Sequence, residues 1–424
     1  MSPVVKVYVN QKVIFKLVGV CMQKIIFLVD MDAFFISCES TRHPELIKKP
    51  AAVAGDPKKR SGIILTANYA ARKYGIKTTM VLNKALKLCS NLIILPPDLE
   101  FYKQKSKEVI EILARYTPII EQNSIDEAWL DMTGSEGLFG EPLKSAKLIS
   151  NQIKNELGLS SSIGISENKF LSKMASDIKK PGGITELWQK NIKEKLWPLP
   201  IKSMYGVGRQ TSSKLESIGI KTIGELANSD KSRLIKKLGK IGTQIYLLAN
   251  GIDTSHVKPH SHDEMKSIGK SITLPEDITS IKTANMILMR LSDEVSRSAR
   301  KHGKKGHIVQ IVVKYYDFKV ITRQKTIPQT CIAKEIYSAS AELLKNNWNE
   351  QIPLRLLGIS LSGFENESTA HQISMFEISD TENAEDNSIK TYKLESTIDK
   401  IRSKYGNSII DRAIFLDNNH WKKK

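Results

Sequence analysis

The chain has 424 residues, 41% of them hydrophobic and 26% charged, and a formal net charge of +19. That length exceeds what one hydrophobic core fills, so roughly two to four domains are expected, and the composition excludes a disordered or fibrous chain. The surplus of Lys and Arg favours a polyanionic partner, nucleic acid before an anionic membrane, although a lysine-rich genome produces the same balance.

Met1–Cys21 holds an apolar stretch, Val13–Val20, that is broken by Lys16 and fits a signal peptide poorly. It reads as an upstream extension, or as a mis-assigned start ahead of Met22, and no function is placed there. Ile25–Val29 is a continuous apolar β-type run ending in Asp30, and Ala33–Thr41 reads as a helix. Ala51–Ala54 and Ile63–Leu65 read as short strands, Asn68–Tyr74 and Met80–Leu88 as helices, and Asn91–Leu95 as a strand. Asp98–Tyr116 has helical spacing. Ile119–Glu121 and Ala128–Asp131 form an antiparallel pair around a turn at Asn123–Asp126. Leu143–Leu157 is an amphipathic helix, Ser162–Ile165 a strand and Lys169–Ile178 a helix, before Pro181-Gly182-Gly183 breaks the chain.

Beyond that break, Leu196–Gly251 reads as short helices separated by glycines, and Pro259–Asp263 as a linker. Ile268–Phe364 mixes strands, His307–Val313 and Leu356–Leu361, with helices over Thr283–Lys301 and Ala333–Asn346. The remainder is polar, with an acidic cluster and a last helical segment at Leu394–Tyr405. The cysteines Cys21, Cys38, Cys89 and Cys331 show neither zinc-type spacing nor a disulfide framework, which fits a reducing cytoplasm. No apolar run approaches a membrane span.

Three carboxylates carry the chemistry. An apolar strand delivers Asp30 at its end, and a hairpin far along the chain offers Asp126 and Glu127, which point to opposite sides of the backbone. Phosphoryl transfer needs charge neutralisation and alignment, and two divalent ions on a rigid carboxylate platform supply both. Solvated loop acids are the plainer reading, and Asp30 taken alone is better read that way, since many α/β strands end in a carboxylate.

Val29–Phe35 around the first acid, Ser124–Asp131 around the other two, and Thr66–Gly75 between them together resemble the signatures of the Y-family DNA polymerases. Val29-Asp30-Met31-Asp32-Ala33-Phe34-Phe35 is similar to the first and Ser124-Ile125-Asp126-Glu127-Ala128-Trp129-Leu130-Asp131 to the second. Thr66–Gly75 resembles the fingers motif, and Gly164–Lys169 with Ser176–Pro181 a further palm stretch. The resemblance runs from about Lys24 to Phe364, with its nearest branch the DinB-like polymerase IV group. It implies an α/β multidomain right-hand polymerase with an α+β palm (22–32 and 98–185), small fingers (33–97) and a helix-hairpin-helix thumb (186–253). A linker (254–260), an α/β little finger (261–364) and a polar tail (365–424) would follow.

It also implies roles. Asp30 and Asp126 would bridge two Mg2+ ions, Glu127 would hold the catalytic one, and the Met31 carbonyl would reach the nucleotide-side ion. Tyr69, Arg72 and Lys180 would hold the incoming triphosphate. Phe35 would exclude a 2′-hydroxyl, with Phe34 in the core and Asp32 and Asp131 structural. Gly206, Gly208 and Arg209 sit in a segment resembling a helix-hairpin-helix, which would present amides to a phosphate. Lys304 and Lys305 lie among many Lys and Arg of the little finger expected to face DNA, including Lys270, Arg297, Arg300, Lys314, Arg323 and Lys325. His371–Phe376 resembles the peptide that bacterial polymerases insert into the sliding clamp, with Gln372, Met375 and Phe376 as anchors. The implied activity is template-directed, low-fidelity lesion bypass by a cytoplasmic monomer, with primer-template DNA, dNTPs and the clamp as partners, no membrane and no proofreading exonuclease. Another two-metal palm enzyme such as a nucleotide cyclase, or an inactive relative that scaffolds repair, is the alternative.

Overall fold

The computed structural model describes residues 23–56, 62–259, 265–364, 381–407 and 409–413, and of 381–388 only the backbone. The chain divides into two compact units, the first ending at Asp263 and the second running from Glu264. Among the described residues no helix is long and apolar enough to cross a membrane.

The first unit runs in the order β1 (Ile26–Met31), α1 (Phe34–Arg42), β2 (Ala51–Ala54), β3 (Ile64–Ala67), α2 (Tyr69–Arg72), α3 (Leu82–Leu88), β4 (Ile93–Leu95) and α4 (Leu99–Leu113). β5 (Ile120–Gln122), β6 (Glu127–Asp131), α5 (Pro142–Leu157), β7 (Ser161–Ser166), α6 (Lys169–Ile178) and β8 (Ile184–Glu186) follow. Its main sheet has the strand order β5-β6-β1-β7-β8. β1 lies in the middle, antiparallel to both β6 and β7, and every residue of it is buried. That is why its sequence is a continuous apolar run rather than an alternating one. Phe27, Val29 and Met31 pack into one core with Ile112 of α4 and Ile149 of α5. Ile26 and Leu28 fall on the opposite face, with Trp129 and Val257. By alternation Asp30 joins that second face.

A smaller sheet, β3-β2-β4, follows β1, with β2 antiparallel to β3 and parallel to β4. Four further helices, α7 (Arg209–Glu216), α8 (Ile223–Ala227), α9 (Lys231–Leu238) and α10 (Lys240–Ala249), close the first unit around Leu215, Leu226, Leu234 and Ile245. This helical part is tied to α6: Asn168, which caps α6 at Leu171 N–H, also donates from Nδ2 to Gly251 O at 2.9 Å. The Phe170 N–H donates to Asp253 Oδ2 at 3.0 Å. The expected linker does not begin as loose chain. Val257 is buried against the main sheet, and the Lys258 N–H donates to Glu121 Oε2 at 2.8 Å.

The second unit holds β9 (Ser267–Ile278), α11 (Ile281–Lys301), β10 (Gly306–Tyr315), β11 (Val320–Thr330), α12 (Ala333–Asn347), β12 (Leu354–Ser362) and α13 (Thr381–Tyr405). Its sheet is antiparallel throughout, in the order β11-β10-β12-β9. Val309, Ile311, Val313, Leu357, Ile359 and Leu361 face a core shared with α11 and α12. The two edge strands, β9 and β11, are longer than the inner ones yet escape the sequence reading. They are exposed at most positions and carry no run of alternating apolar residues.

The face of this sheet corrects one expectation. Lys270, Arg323 and Lys325 turn to the helical side, towards Glu294, Asn347 and Glu342. The open face presents Ser271, Thr273, Gln310, Thr322 and Gln324 by strand alternation, with Lys314 the one of these expected basic residues that falls on it. In the tail the expected helical segment Leu394–Tyr405 is present and longer than expected. Beyond residue 380 the chain is a 25-residue helix, α13, packed on α11. Arg300 and Arg297, expected to face DNA, pair instead with Glu395 and Asp399 of that helix.

Candidate active site

β1 and β6 place Asp30 directly opposite Glu127 in an antiparallel ladder. Side chains opposed in this way lie about 5 Å apart at Cβ, and like charges there repel. The repulsion is met from beneath by α6. The Lys173 Nζ lies 3.0 Å from Asp30 Oδ2, 2.7 Å from Glu127 Oε1 and 3.6 Å from Asp177 Oδ2. Lys180, just past α6, lies 2.6 Å from Asp30 Oδ2 and 2.9 Å from Asp177 Oδ1.

Helix α6 comes this close because of Gly164 on β7. A Cβ there would lie 1.9 Å from the Ser172 carbonyl oxygen and 2.5 Å from the Ser176 nitrogen, so only glycine permits the approach.

Asp126 stands next to this pair. Its carbonyl accepts the Met31 N–H at 2.9 Å, which seats the hairpin against the end of β1. Its carboxylate accepts from Ser124 Oγ at 2.5 Å. Asp30, Met31, Asp126 and Glu127 are thus brought to one end of the sheet. Among the described residues, however, no three acidic, histidine or cysteine side chains converge as a ready cage. The donors fit a hard divalent ion in kind, since all are oxygens. Lys173 fills the space between two of them.

Burial pushes the Asp30 carboxyl up, but Lys173 and Lys180 outweigh burial and hold it below the usual carboxylate range. Glu127 goes the other way. Burial raises it, Lys173 opposes, and neighbouring Asp30 raises it again. Burial lowers both lysines, but the surrounding carboxylates hold them above the ordinary lysine value.

Asp32 has the structural part expected of it. It is buried, and accepts from Ser160 Oγ, Ser162 Oγ and the Gly182 N–H, each at 2.8 Å. Tyr69 donates its hydroxyl to Asp32 Oδ1 at 3.3 Å, and burial and Asp32 push its phenol up to about 12. The exposed Arg72 stacks its guanidinium 4.7 Å over the Tyr69 ring and donates from Nε to Ala67 O. These contacts fix the base of a side chain whose outer nitrogens suit a phosphate.

Phe34 is buried, as expected, and Phe35 is half-buried. The turn between them and Asp32 is made by Ala33 in the left-handed region, φ 46° and ψ 48°, a conformation that costs about 1 kcal/mol for alanine. The Phe35 ring stacks on Tyr102 at 4.6 Å and 13°. Tyr102 is fully buried and donates to Glu39 Oε1 at 2.7 Å, so Phe35 rests on a braced platform.

Gly206 (φ 87°) and Gly208 are exposed ahead of α7, and an added Cβ at either would meet nothing within 4 Å. Gly208 caps α7 with no side-chain partner, leaving backbone amides and Arg209 at the surface. Gly239 (φ 64°) joins α9 to α10 in a second hairpin. Lys304 is half-buried and Lys305 exposed in the turn between α11 and β10. Gln372, Met375 and Phe376 lie outside the described residues.

Sequence reasoning missed Lys173 and Tyr102. The sequence Phe170-Leu171-Ser172-Lys173-Met174-Ala175-Ser176 sets one lysine among apolar and small residues; the structure buries the whole stretch, and a lysine there needs carboxylate partners. Tyr102 gave no local signal, because its partner Phe35 is far away in sequence.

The chain matches the impB/mucB/samB family over residues 29–177 and that family's C-terminal domain over 265–375. Residues 202–253 match the thumb domain of DNA polymerase-iota. A DNA polymerase IV of Clostridium kluyveri is 64% identical over 92% of this chain and 97% of its own length. One from Alkaliphilus oremlandii is 56% identical, covering 93% of this chain and 100% of itself. A solved Y-family DNA polymerase chimera of Dbh and Dpo4 superposes with a TM-score of 0.73 at 25% identity, covering 80% of this chain and 99% of its own. Identity at this level along nearly the whole chain, on a fold shared with a solved polymerase, means that the chain belongs to the Y-family of DNA polymerases, in the DNA polymerase IV group.

Proposed function

We propose that the chain is a template-directed, low-fidelity DNA polymerase for translesion synthesis, transferring a nucleotidyl group from a dNTP to a primer 3′-hydroxyl without proofreading. Divalent-metal use follows from the family; two Mg2+ ions on Asp30, Asp126, Glu127 and the Met31 carbonyl are our reading. The observation that carries it is the opposed pair Asp30 and Glu127 with Asp126 alongside, at one end of a buried sheet. Bound ions would neutralise the phosphates and lower the pKa of the attacking hydroxyl. Lys180 and Arg72 would take triphosphate oxygens, one as a point charge and one as a fork. Phe35, braced by Tyr102, would close the space beneath the sugar.

In this reading residues 22–32 and 98–185 are the palm, 33–97 the fingers, 186–253 the thumb and 261–364 the little finger, extended here by α13. The hairpins at Gly206–Arg209 and Gly239 suit phosphates, and the open face of the second sheet, mostly hydroxyl and amide side chains with Lys314 among them, suits duplex DNA read without sequence preference. The protein would act as a cytoplasmic monomer, tethered to the sliding clamp through Gln372, Met375 and Phe376.

Primer extension on undamaged and lesion-bearing templates tests the reading. Extension past the lesion is expected, and a protein that extends neither template would overturn it. For the tether, Met375→Ala with Phe376→Ala should remove stimulation by added clamp while leaving clamp-free extension intact; stimulation equal to the parent's would exclude this segment.

A further inference from the structure

Lys173 has no part in the reading above, and its surroundings are unusual. Its side chain is 10% exposed, within hydrogen-bond reach of the two carboxylates that the β1–β6 ladder sets face to face. Its outer neighbour, Asp177, is one helical turn on in α6 and 47% exposed. Lysine carries a compact charge on a four-carbon stem, and it re-aims by rotamer changes alone. Without a cation between them, Asp30 and Glu127 would spread apart. With a lysine fixed there, an incoming ion must displace it.

We propose that Lys173 is a positioning residue that holds Asp30 and Glu127 at ladder spacing and yields the space between them to a divalent ion by turning to Asp177. The proposal rests on the metal assignment made above for Asp30 and Glu127. It gives the lysine two opposed effects. The ammonium organises the carboxylates, and it competes with the ion for them. Asp177 sets the balance, because it receives the displaced charge and also shares Lys180 with Asp30.

The test is Mn2+ binding to the full chain by electron paramagnetic resonance, without DNA or nucleotide, together with melting temperatures in EDTA and in excess Mg2+. Lys173→Met removes the charge and keeps the stem. It should bind Mn2+ about 10-fold more tightly, one charge at contact distance being removed from a partly screened site. It should also melt below the parent in EDTA and recover in Mg2+. Asp177→Asn, an exposed and foldable change, should act in the opposite direction and weaken Mn2+ binding about threefold. A purely structural lysine predicts an equal loss of melting temperature with and without Mg2+, and unchanged Mn2+ binding in both variants; that pattern would overturn the proposal. If Lys173→Met does not fold, unchanged or tighter binding in Asp177→Asn overturns it alone. Glu127→Gln separates the two readings. If Mn2+ binding survives that change, the metal assignment itself has failed. If it is lost while Lys173→Met binds like the parent, only the role of Lys173 has failed.

Discussion

At the candidate active site the first unit pairs its carboxylates with lysines, and along α13 the second unit pairs its own with arginines. Around Asp30 and Glu127 the cations are Lys173 and Lys180, each a single nitrogen at the end of a flexible stem. Around α13 they are Arg300, Arg402 and Arg412. Arg300 binds Glu395 and Asp399 from different nitrogens and also donates to the Cys331 carbonyl. Arg402 and Arg412 grip the two oxygens of Asp293, and Arg402 adds two bonds to the Ile410 carbonyl. Glu395 also accepts the Ala333 N–H, serving from a distant element the start of a helix whose own N-cap residue, Ile332, has no side chain to do so. A planar fork with several fixed donors ties elements together, whereas an ammonium is exchanged easily. The same balance of charge therefore makes a seam in one unit and a replaceable cation in the other.

The sharpest way to break this comparison is to remove a carboxylate from each cluster. Glu127→Ala should lower primer-extension kcat by at least about a thousandfold, with primer-template binding largely kept, because in the proposed function that acid holds the catalytic ion. A kcat within tenfold of the parent, roughly 1.4 kcal/mol, would remove Glu127 from the reaction. Glu395→Ala should reverse the pattern. It leaves the buried Arg300 with Asp399 as its remaining carboxylate and uncaps α12, at about 1.5–3 kcal/mol of stability. Chemical denaturation of the full chain should show the second unit unfolding earlier, with extension rates near those of the parent at permissive temperature. Arg300→Lys is milder: it keeps the charge and loses the fork, so about 1–2 kcal/mol should go, and full stability would mean that charge alone suffices there.

The smallest effect is with pH. Burial raises the Asp293 carboxyl, but Arg412 and Arg402 outweigh it and hold it below its ordinary value. A carboxylate depressed on folding adds stability above its unfolded pKa, about 4, and loses it as pH falls through the folded value. The parent's melting temperature should therefore fall on acidification below about pH 4, and Asp293→Asn should start lower, by about 1 kcal/mol at neutral pH, and fall less steeply there. Parallel curves for the two proteins would show that Asp293 is not the group lost.

What the sequence made legible follows the same division. β1 and α6 were readable because a central strand and an amphipathic helix write their burial into apolar spacing, and Asp30, Asp126 and Glu127 because they sit within long motifs. β9 and β11 were not, since edge strands exposed along most of their length carry no such pattern. Nor were the partners of Arg300 and Phe35: which of many acids or aromatics meets them is decided by packing between segments far apart in the chain. The face on which Lys270 and Arg323 fall was hidden for the same reason, because a count of basic residues has no direction. The tail shows a related limit: Leu394–Tyr405 was legible as a helix, but its extension back to Thr381 was not, because the polar residues there carry no apolar spacing.

Gly164 carries a consequence for anyone moving this chemistry elsewhere. The spacing of α6 from β1 is fixed by a missing methyl group rather than by any residue that touches the carboxylates. Grafting the acids and both lysines onto another sheet would reproduce their identities and leave the helix too far out, with Lys173 unable to reach. The quantity to be inherited is an interlayer distance, and in this protein it is encoded by the residue with no side chain.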